Sequence, residues 1–282
     1  MSTETIPVTQ VVRKPADYRS DLKPIWCPGC GDFAVLAAIQ QALAAMQVDP
    51  KDLAIVSGIG CSSRLPGFLD AYGLHTVHGR SLPAAIGLKL ARPDLTVMAV
   101  GGDGDYFSIG LGHLPHAARR DLNMTVIVMD NEIYGLTKGQ TSPTSPIGHV
   151  TKSTPYGNPA APLHPLAIAL ASGASYIARG FSSQPKQLAE LIKGGMQHEG
   201  FAFIHVMSPC VTFYDTYKIY KEKVYAIPAD HDSGDTGAAM RYAMESDRLP
   251  LGLIYRRAPA ARPAAQPAQP FDTQSYLERY RA

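Results

Sequence analysis

The sequence predicts an α/β fold, with an open and mainly parallel sheet covered by helices on both faces. Three observations predict it. Four near-continuous apolar runs, at residues 53–56, 95–100, 124–129 and 201–206, read as strands buried on both faces. Helical patterns lie between them, which is the alternation of a parallel sheet. Residues suited to ligand chemistry follow each run directly: 58–61, 101–104, 130–131 and 208–210. Open α/β sheets bind ligands at the carboxyl ends of their strands, and unrelated core residues would not sort themselves to one edge.

Taken in chain order, residues 1–20 read as an N-terminal extension without the apolar stretch of a signal peptide. Residues 32–47 carry Phe33, Leu36, Ile39, Leu43 and Met46 at helical spacing, which predicts one inward stripe. Ser183-Gln184-Pro185 opens a second helix with Leu188, Leu191 and Ile192 on its inner face. Residues 137–165 are rich in Gly, Pro, Ser and Thr and read as a long loop, a kind that is usually functional or disordered. Residues 21–257 form the predicted body, and 258–282 form a Pro/Ala-rich tail with an amphipathic piece at 276–280.

A chain of 282 residues that is 45% apolar can bury a large core. A net charge of +2 gives no electrostatic footprint for nucleic acid. No run approaches the roughly 20 apolar residues that span a bilayer. These features predict a cytoplasmic protein with no membrane or nucleic-acid partner.

In that reducing compartment the four cysteines, Cys27, Cys30, Cys61 and Cys210, are not expected to form disulfides. Three readings compete: a [4Fe-4S] cluster on four thiolates, a four-thiolate zinc site, and inert buried thiols. Zinc usually takes two Cys-x-x-Cys-like pairs, and only Cys27 and Cys30 form one.

Gly102-Asp103-Gly104 permits a sharp turn after a strand and a close backbone approach to a bulky anion. A helix opening near Tyr106 or Ser108 would aim amides at phosphate. Asp103 offers a hard oxygen for Mg²⁺ and Asn131 a neutral one, a sparse set of the kind Mg²⁺ takes beside phosphate oxygens. The bland alternative for Asp103 is a helix N-cap.

Gly102-Asp103-Gly104 with Asn131 resembles the thiamine diphosphate signature. Together with 26–31, Gly58-Ile59-Gly60-Cys61-Ser62, His78-Gly79-Arg80, Asp105 and the run 134–144, it resembles the beta subunit of the 2-oxoacid:ferredoxin oxidoreductases, most closely those acting on 2-oxoglutarate. The likeness covers about residues 20–256.

The resemblance implies a thiamine diphosphate-binding fold. It implies one [4Fe-4S] cluster on Cys27, Cys30, Cys61 and Cys210. It implies Mg²⁺ on Asp103, Asn131 and the Ile133 carbonyl. The cofactor-contacting set would be Gly58, Ile59, Gly60, Cys61, Ser62, His78, Gly102, Asp103, Gly104, Asp105, Asn131, Ile133, Gly135, Leu136 and Thr137. The implied reaction converts a 2-oxoacid, coenzyme A and oxidised ferredoxin to acyl-coenzyme A, carbon dioxide and reduced ferredoxin, and is reversible. Three residues are expected to act on substrate. His78 would donate to the 2-oxo group or a phosphate oxygen; Arg64 and Lys138 would anchor substrate carboxylates. Their bland alternatives are a structural histidine and solvated charges. A distal carboxylate favours 2-oxoglutarate, with pyruvate or several 2-oxoacids as the alternative. No glutamate here matches the one that activates thiamine in similar families. An alpha subunit would supply it, in an assembly of the form (αβ)₂.

Overall fold

The structure, a computed structural model, describes residues 12–258 and Glu278. Most of the tail, with its amphipathic piece, lies outside the described residues.

Among the described residues ten strands form in chain order: β1 (Leu53–Ser57), β2 (Tyr72–His75), β3 (Thr96–Gly102), β4 (Met124–Asp130), β5 (Ile133–Tyr134), β6 (Gln140–Thr141), β7 (Tyr176–Phe181), β8 (Phe201–Met207), β9 (Val224–Ala226) and β10 (Leu249–Arg256). The helices are α1 (Asp32–Met46), α2 (Ser81–Ala91), α3 (Asp103–Phe107), α4 (Leu114–Arg120), α5 (Pro165–Ala171), α6 (Pro185–Gln197), α7 (Tyr217–Lys223) and α8 (Thr236–Met244). Eight strands make one sheet in the order β2-β1-β3-β4-β8-β7-β10-β9; β5 and β6 make a separate hairpin.

The four predicted strands are β1, β3, β4 and β8, adjacent and parallel at the centre of the sheet. Their side chains alternate between two cores, as a pleated strand requires. On β4, Ile127 and Met129 face the core built with α1 and α6, whereas Val126 and Val128 face the core that includes α2, α4, α5 and α8. This double burial explains why the runs are nearly continuous in apolar residues.

The outer strands were less legible. β2 is an edge strand with all four residues exposed, so it has no apolar run. β7 is broken in sequence by Arg179 and Gly180, yet it is buried throughout. β10 contains Pro250 and Gly252, which ordinarily demote a strand. It pairs antiparallel with β7, with a register shift near Leu253–Tyr255.

Helix α1 keeps Leu36, Ile39 and Leu43 of its predicted stripe buried and departs from it at Phe33 and the half-buried Met46. Val35, Leu36, Ala38, Ile39, Ala42 and Leu43 are buried, but Phe33 is 39% exposed and packs edge-on against Trp26. Helix α6 buries Leu188, Leu191 and Ile192 as expected. Residues 12–20 are built onto the body: Tyr18 is fully buried and its hydroxyl donates to the carbonyls of Leu43 and Val48.

Candidate active site

The parallel register of β1, β3, β4 and β8 brings their four carboxyl ends to one edge. Asp103 follows β3 directly, Asn131 follows β4, and Cys210 lies three residues past β8. Above this edge lies a cavity of about 410 Å³, a size that suits a cofactor. Its lining contains every expected cofactor-contacting residue except Gly58, and adds Tyr134 and Gln140.

Gly58 sits behind that wall, where a Cβ would fall 1.9 Å from Asp105 Oδ2. Its lack of a side chain admits Asp105. The Asp105 Oδ1 atom accepts from the amides of Ile59 (2.9 Å) and Gly79 (2.7 Å), and lies 2.7 Å from His78 Nδ1. Asp105, expected to contact the cofactor, thus also clamps the loop after β1 and the loop before α2 onto the turn after β3. It also fixes the imidazole. An oxygen that accepts two amides demands a donor at Nδ1, which leaves His78 Nε2 to meet a ligand.

The turn after β3 tightens into α3 at Asp103 itself, not near Tyr106 or Ser108. The reason is that the strand runs on through Gly101 and Gly102. Gly104 is needed because a Cβ there would fall 2.2 Å from the Tyr134 ring. Asp103 is 1% exposed, and burial together with the neighbouring Asp130 carboxylate raises its pKa well above the ordinary value. Thr144 Oγ1 lies 2.9 Å from Asp103 Oδ2 and 2.8 Å from Asp130 Oδ1, and one hydroxyl proton cannot serve both carboxylates fully. The pair is therefore short of positive charge. A hard cation beside Asp103, Asn131 and the Ile133 carbonyl answers that deficit, so these residues fit Mg²⁺.

Thr144 is a site neighbour that sequence reasoning missed. It lies in the 137–165 loop, which has only β6 as regular structure but is tied down by buried polar groups. The Ser142 amide donates to Ser145 Oγ at 2.8 Å, and the Asn158 side-chain amide reaches the carbonyls of Ser145, Pro146 and Ala160. Behind Asp130, His205 Nε2 lies 2.8 Å from Oδ2, and Arg179 Nε donates to His205 Nδ1 at 3.3 Å. His205 is thereby held neutral with its proton on Nε2, in line with burial lowering its pKa.

The four cysteines are free thiols set around a second cavity of about 330 Å³, lined also by Trp26, Arg64, Asn131, Gly135, Leu136, Lys138 and Phe213. Among the described residues no three or more His, Cys, Asp or Glu side chains are grouped to hold a metal ion. The two cavities share Cys61, Asn131, Gly135 and Leu136 as a common wall. At Gly135 a Cβ would lie 3.7 Å from both Cys61 Sγ and Cys210 Sγ. Burial and nearby Asp32 push the Cys61 thiol up to about 11, and the same two causes raise Cys30 further. As thiolates, Cys30 and Cys61 would therefore be favoured by a bound cation.

Arg64 and Lys138 are both exposed and both line the cysteine cavity, not the first one. Lys138 has φ +78° and is followed by Gly139 at φ +98°. These two left-handed residues close the hairpin between β5 and β6. The structure thus separates the expected substrate residues: His78 lines the first cavity, Arg64 and Lys138 the second.

A family profile described as "Thiamine pyrophosphate enzyme, C-terminal TPP binding domain" matches residues 58–206. A second profile, for the carboxyl-terminal part of the pyruvate ferredoxin oxidoreductase beta chain, matches 210–265. The chain is 42% identical over 254 residues to 2-oxoacid:ferredoxin oxidoreductase 1, subunit beta, from Aeropyrum pernix, covering 85% of this chain and 80% of that one. The chain belongs to the 2-oxoacid:ferredoxin oxidoreductases, as a beta subunit. It is 44% identical over 213 residues to the 2-oxoglutarate synthase subunit KorB of Methanocaldococcus jannaschii, covering 75% of this chain and 77% of that one. A solved structure, 2-oxoglutarate:ferredoxin oxidoreductase from Magnetococcus marinus with 2-oxoglutarate, coenzyme A and succinyl-CoA bound, is 50% identical with a TM-score of 0.87. That match covers 88% of this chain and 86% of the other. As a family member the chain is part of an oxidoreductase and carries its thiamine diphosphate-binding domain. Among the described residues no helix is long and apolar enough to cross a membrane.

Proposed function

We propose that this beta subunit oxidatively decarboxylates 2-oxoglutarate with coenzyme A, giving succinyl-coenzyme A, carbon dioxide and reduced ferredoxin, and that the same site runs in reverse as a carboxylase. One observation carries the reading: a cofactor-sized cavity and a four-cysteine cavity share a wall of Cys61, Asn131, Gly135 and Leu136. That arrangement suits a carbon-centred reaction that must pass electrons to a neighbouring acceptor.

Thiamine diphosphate supplies the electron sink for cleaving a 2-oxoacid. In this chain Asp103, Asn131 and the Ile133 carbonyl would hold Mg²⁺ against its diphosphate. Gly102 and Gly104 let the backbone approach. His78, oriented by Asp105, places Nε2 to donate or take a proton at the substrate oxygen. Zinc would need its sulfurs about 2.3 Å from one point. All four cysteines line one cavity but are not grouped around one point, which favours a [4Fe-4S] cluster on Cys27, Cys30, Cys61 and Cys210 over a single zinc ion. Cys27 is exposed, which would bring such a cluster close to a docked ferredoxin.

Arg64 and Lys138 supply cationic charge next to the shared wall, where a distal carboxylate could be received. The names of the relatives that act on 2-oxoglutarate point the same way. Pyruvate is the second reading, favoured by the description of the profile that matches 210–265. Exposed Val77, Ile109, Ile59 and Leu136 lie beside or on residues of the first cavity, an apolar rim suited to an alpha subunit that completes the site in an (αβ)₂ assembly. Residues 21–257 would carry all cofactor sites, and the free thiols suit the cytoplasm.

The test is anaerobic co-purification with the alpha subunit, iron, sulfide and thiamine diphosphate analysis, and comparison of kcat/KM for 2-oxoglutarate and pyruvate. Iron, sulfide and cofactor matching the chain, with 2-oxoglutarate preferred, support the reading. Zinc without iron removes the cluster, and a preference for pyruvate removes the substrate assignment.

A further inference from the structure

We infer that Asp32 is the positioning residue of the cysteine cavity, a buried carboxylate that ties three cysteine-bearing loops into one frame. The inference rests on the cluster reading above for its purpose, and on geometry for its substance.

Asp32 opens α1 two residues after Cys30 and is 2% exposed. Its two oxygens are used separately. Oδ2 accepts from Ser62 Oγ at 2.9 Å, and Oδ1 accepts from Ser208 Oγ at 2.7 Å. Ser62 follows Cys61, and Ser208 precedes Cys210 by two residues. One side chain therefore connects the loops after β1 and β8 to the start of α1. The three loops are distant in sequence, so no local turn could fix their spacing.

The backbone is shaped to allow this. A Cβ on Gly31 would fall 2.5 Å from Ser208 Oγ, so only glycine lets that hydroxyl reach Asp32. The Gly31 amide donates to the Pro209 carbonyl at 3.1 Å, and the Trp26 indole donates to the Cys61 carbonyl at 2.7 Å. These bonds join the same loops in pairs. Asp32 alone among the named side chains bonds two of them while belonging to the third.

A buried carboxylate is costly unless its bonds are kept. Asp32 has no part in the cofactor cavity lining. Its placement is explained by what it holds: the separation of Cys30, Cys61 and Cys210. Truncating it should let the sulfurs drift while the sheet and the thiamine diphosphate cavity persist.

The experiment compares wild type, Asp32→Ala, Asp32→Asn and Ser208→Ala, each as the complex with its alpha subunit. Iron per chain and the electron paramagnetic resonance spectrum of the reduced protein are measured first. The labelling rate of Cys61 and Cys210 by a maleimide is then measured after iron removal. Asp32→Ala should lose iron or change the spectrum, and its stripped thiols should label about tenfold faster, the weight of one charge-assisted hydrogen bond. Asp32→Asn, which keeps an acceptor and a donor, should restore both readouts, and Ser208→Ala should fall between.

Should Asp32→Ala fail to fold, Ser208→Ala carries the test. A wild-type spectrum and wild-type labelling in the truncated variants overturn the inference. Wild-type protein that binds no iron would instead overturn the cluster reading, and labelling alone would then decide the role of Asp32.

Discussion

His78 Nδ1 and Asp105 Oδ1 are 2.7 Å apart, and the same oxygen receives two backbone amides. Oδ1 is thus fully occupied as an acceptor, and a donor is demanded at His78 Nδ1. His78→Asn is expected to lower kcat by about a hundredfold, the ordinary weight of one acid–base group, with little change in thiamine diphosphate affinity. Asp105→Asn should act in the same direction through the ring's orientation. Steady-state kinetics beside cofactor titration checks both; wild-type turnover in both variants would remove the pair from the reaction.

Gly104 and Gly135 should respond differently to alanine. A Cβ at Gly104 meets the Tyr134 ring at 2.2 Å, whereas one at Gly135 meets its nearest atoms at 3.7 Å, an ordinary contact. Overpacking costs about 1–3 kcal/mol, so Gly104→Ala should raise the thiamine diphosphate Kd by about tenfold. Gly135→Ala should bind the cofactor normally. Calorimetric titration of the two variants reads the contrast.

Lys138 lines the cysteine cavity with its backbone in the left-handed region. Lys138→Ala should lower kcat/KM for 2-oxoglutarate by about tenfold, as expected for a lost charge-assisted contact, and affect pyruvate far less. Equal losses on the two substrates would exclude Lys138 from specificity.

Cys210 lines the cysteine cavity and not the first one, and a Cβ on Gly135 would lie 3.7 Å from its sulfur. Cys210→Ser should lose or convert the cluster while thiamine diphosphate still binds, measured by iron analysis and cofactor titration on the same sample. Loss of cofactor with an intact cluster would contradict the two-cavity arrangement.

His198 provides a pH signature away from the site. It is buried, its Nε2 lies 2.7 Å from Ser175 Oγ, and burial lowers its pKa below the usual 6.5. The unfolded chain therefore takes up a proton below about pH 6.5 that the folded chain refuses. Stability contributed by neutral His198 is full above that pH and is lost as the pH falls toward the lowered folded value. His198→Gln should flatten the fall of melting temperature between pH 7 and 5; an unchanged slope would assign the acid sensitivity to other groups, such as His205.

The sequence by itself determined the centre of this protein. Strands buried on both faces are apolar at most positions, so β1, β3, β4 and β8 were legible, and with them the edge where the ligand-binding turns collect. Motifs in a fixed order, through their resemblance to a family, then named the residues that line one cavity at that edge.

Tertiary structure decided the rest, since it depends on contacts between distant segments. β7 carries a buried arginine whose Nε donates to His205 on β8 and whose charge faces Asp130 and Glu245. β10 tolerates Pro250 and Gly252 through pairing and a register shift that no local pattern encodes. Thr144 reaches Asp103 from an irregular loop, and Asp105 joins two loops that the sequence could not place together. Asp32 reads as an ordinary first-turn aspartate until folding brings Ser62 and Ser208 to its two oxygens. Hydrogen bonds of this kind are set by the meeting of loops in space, and periodicity carries no record of them.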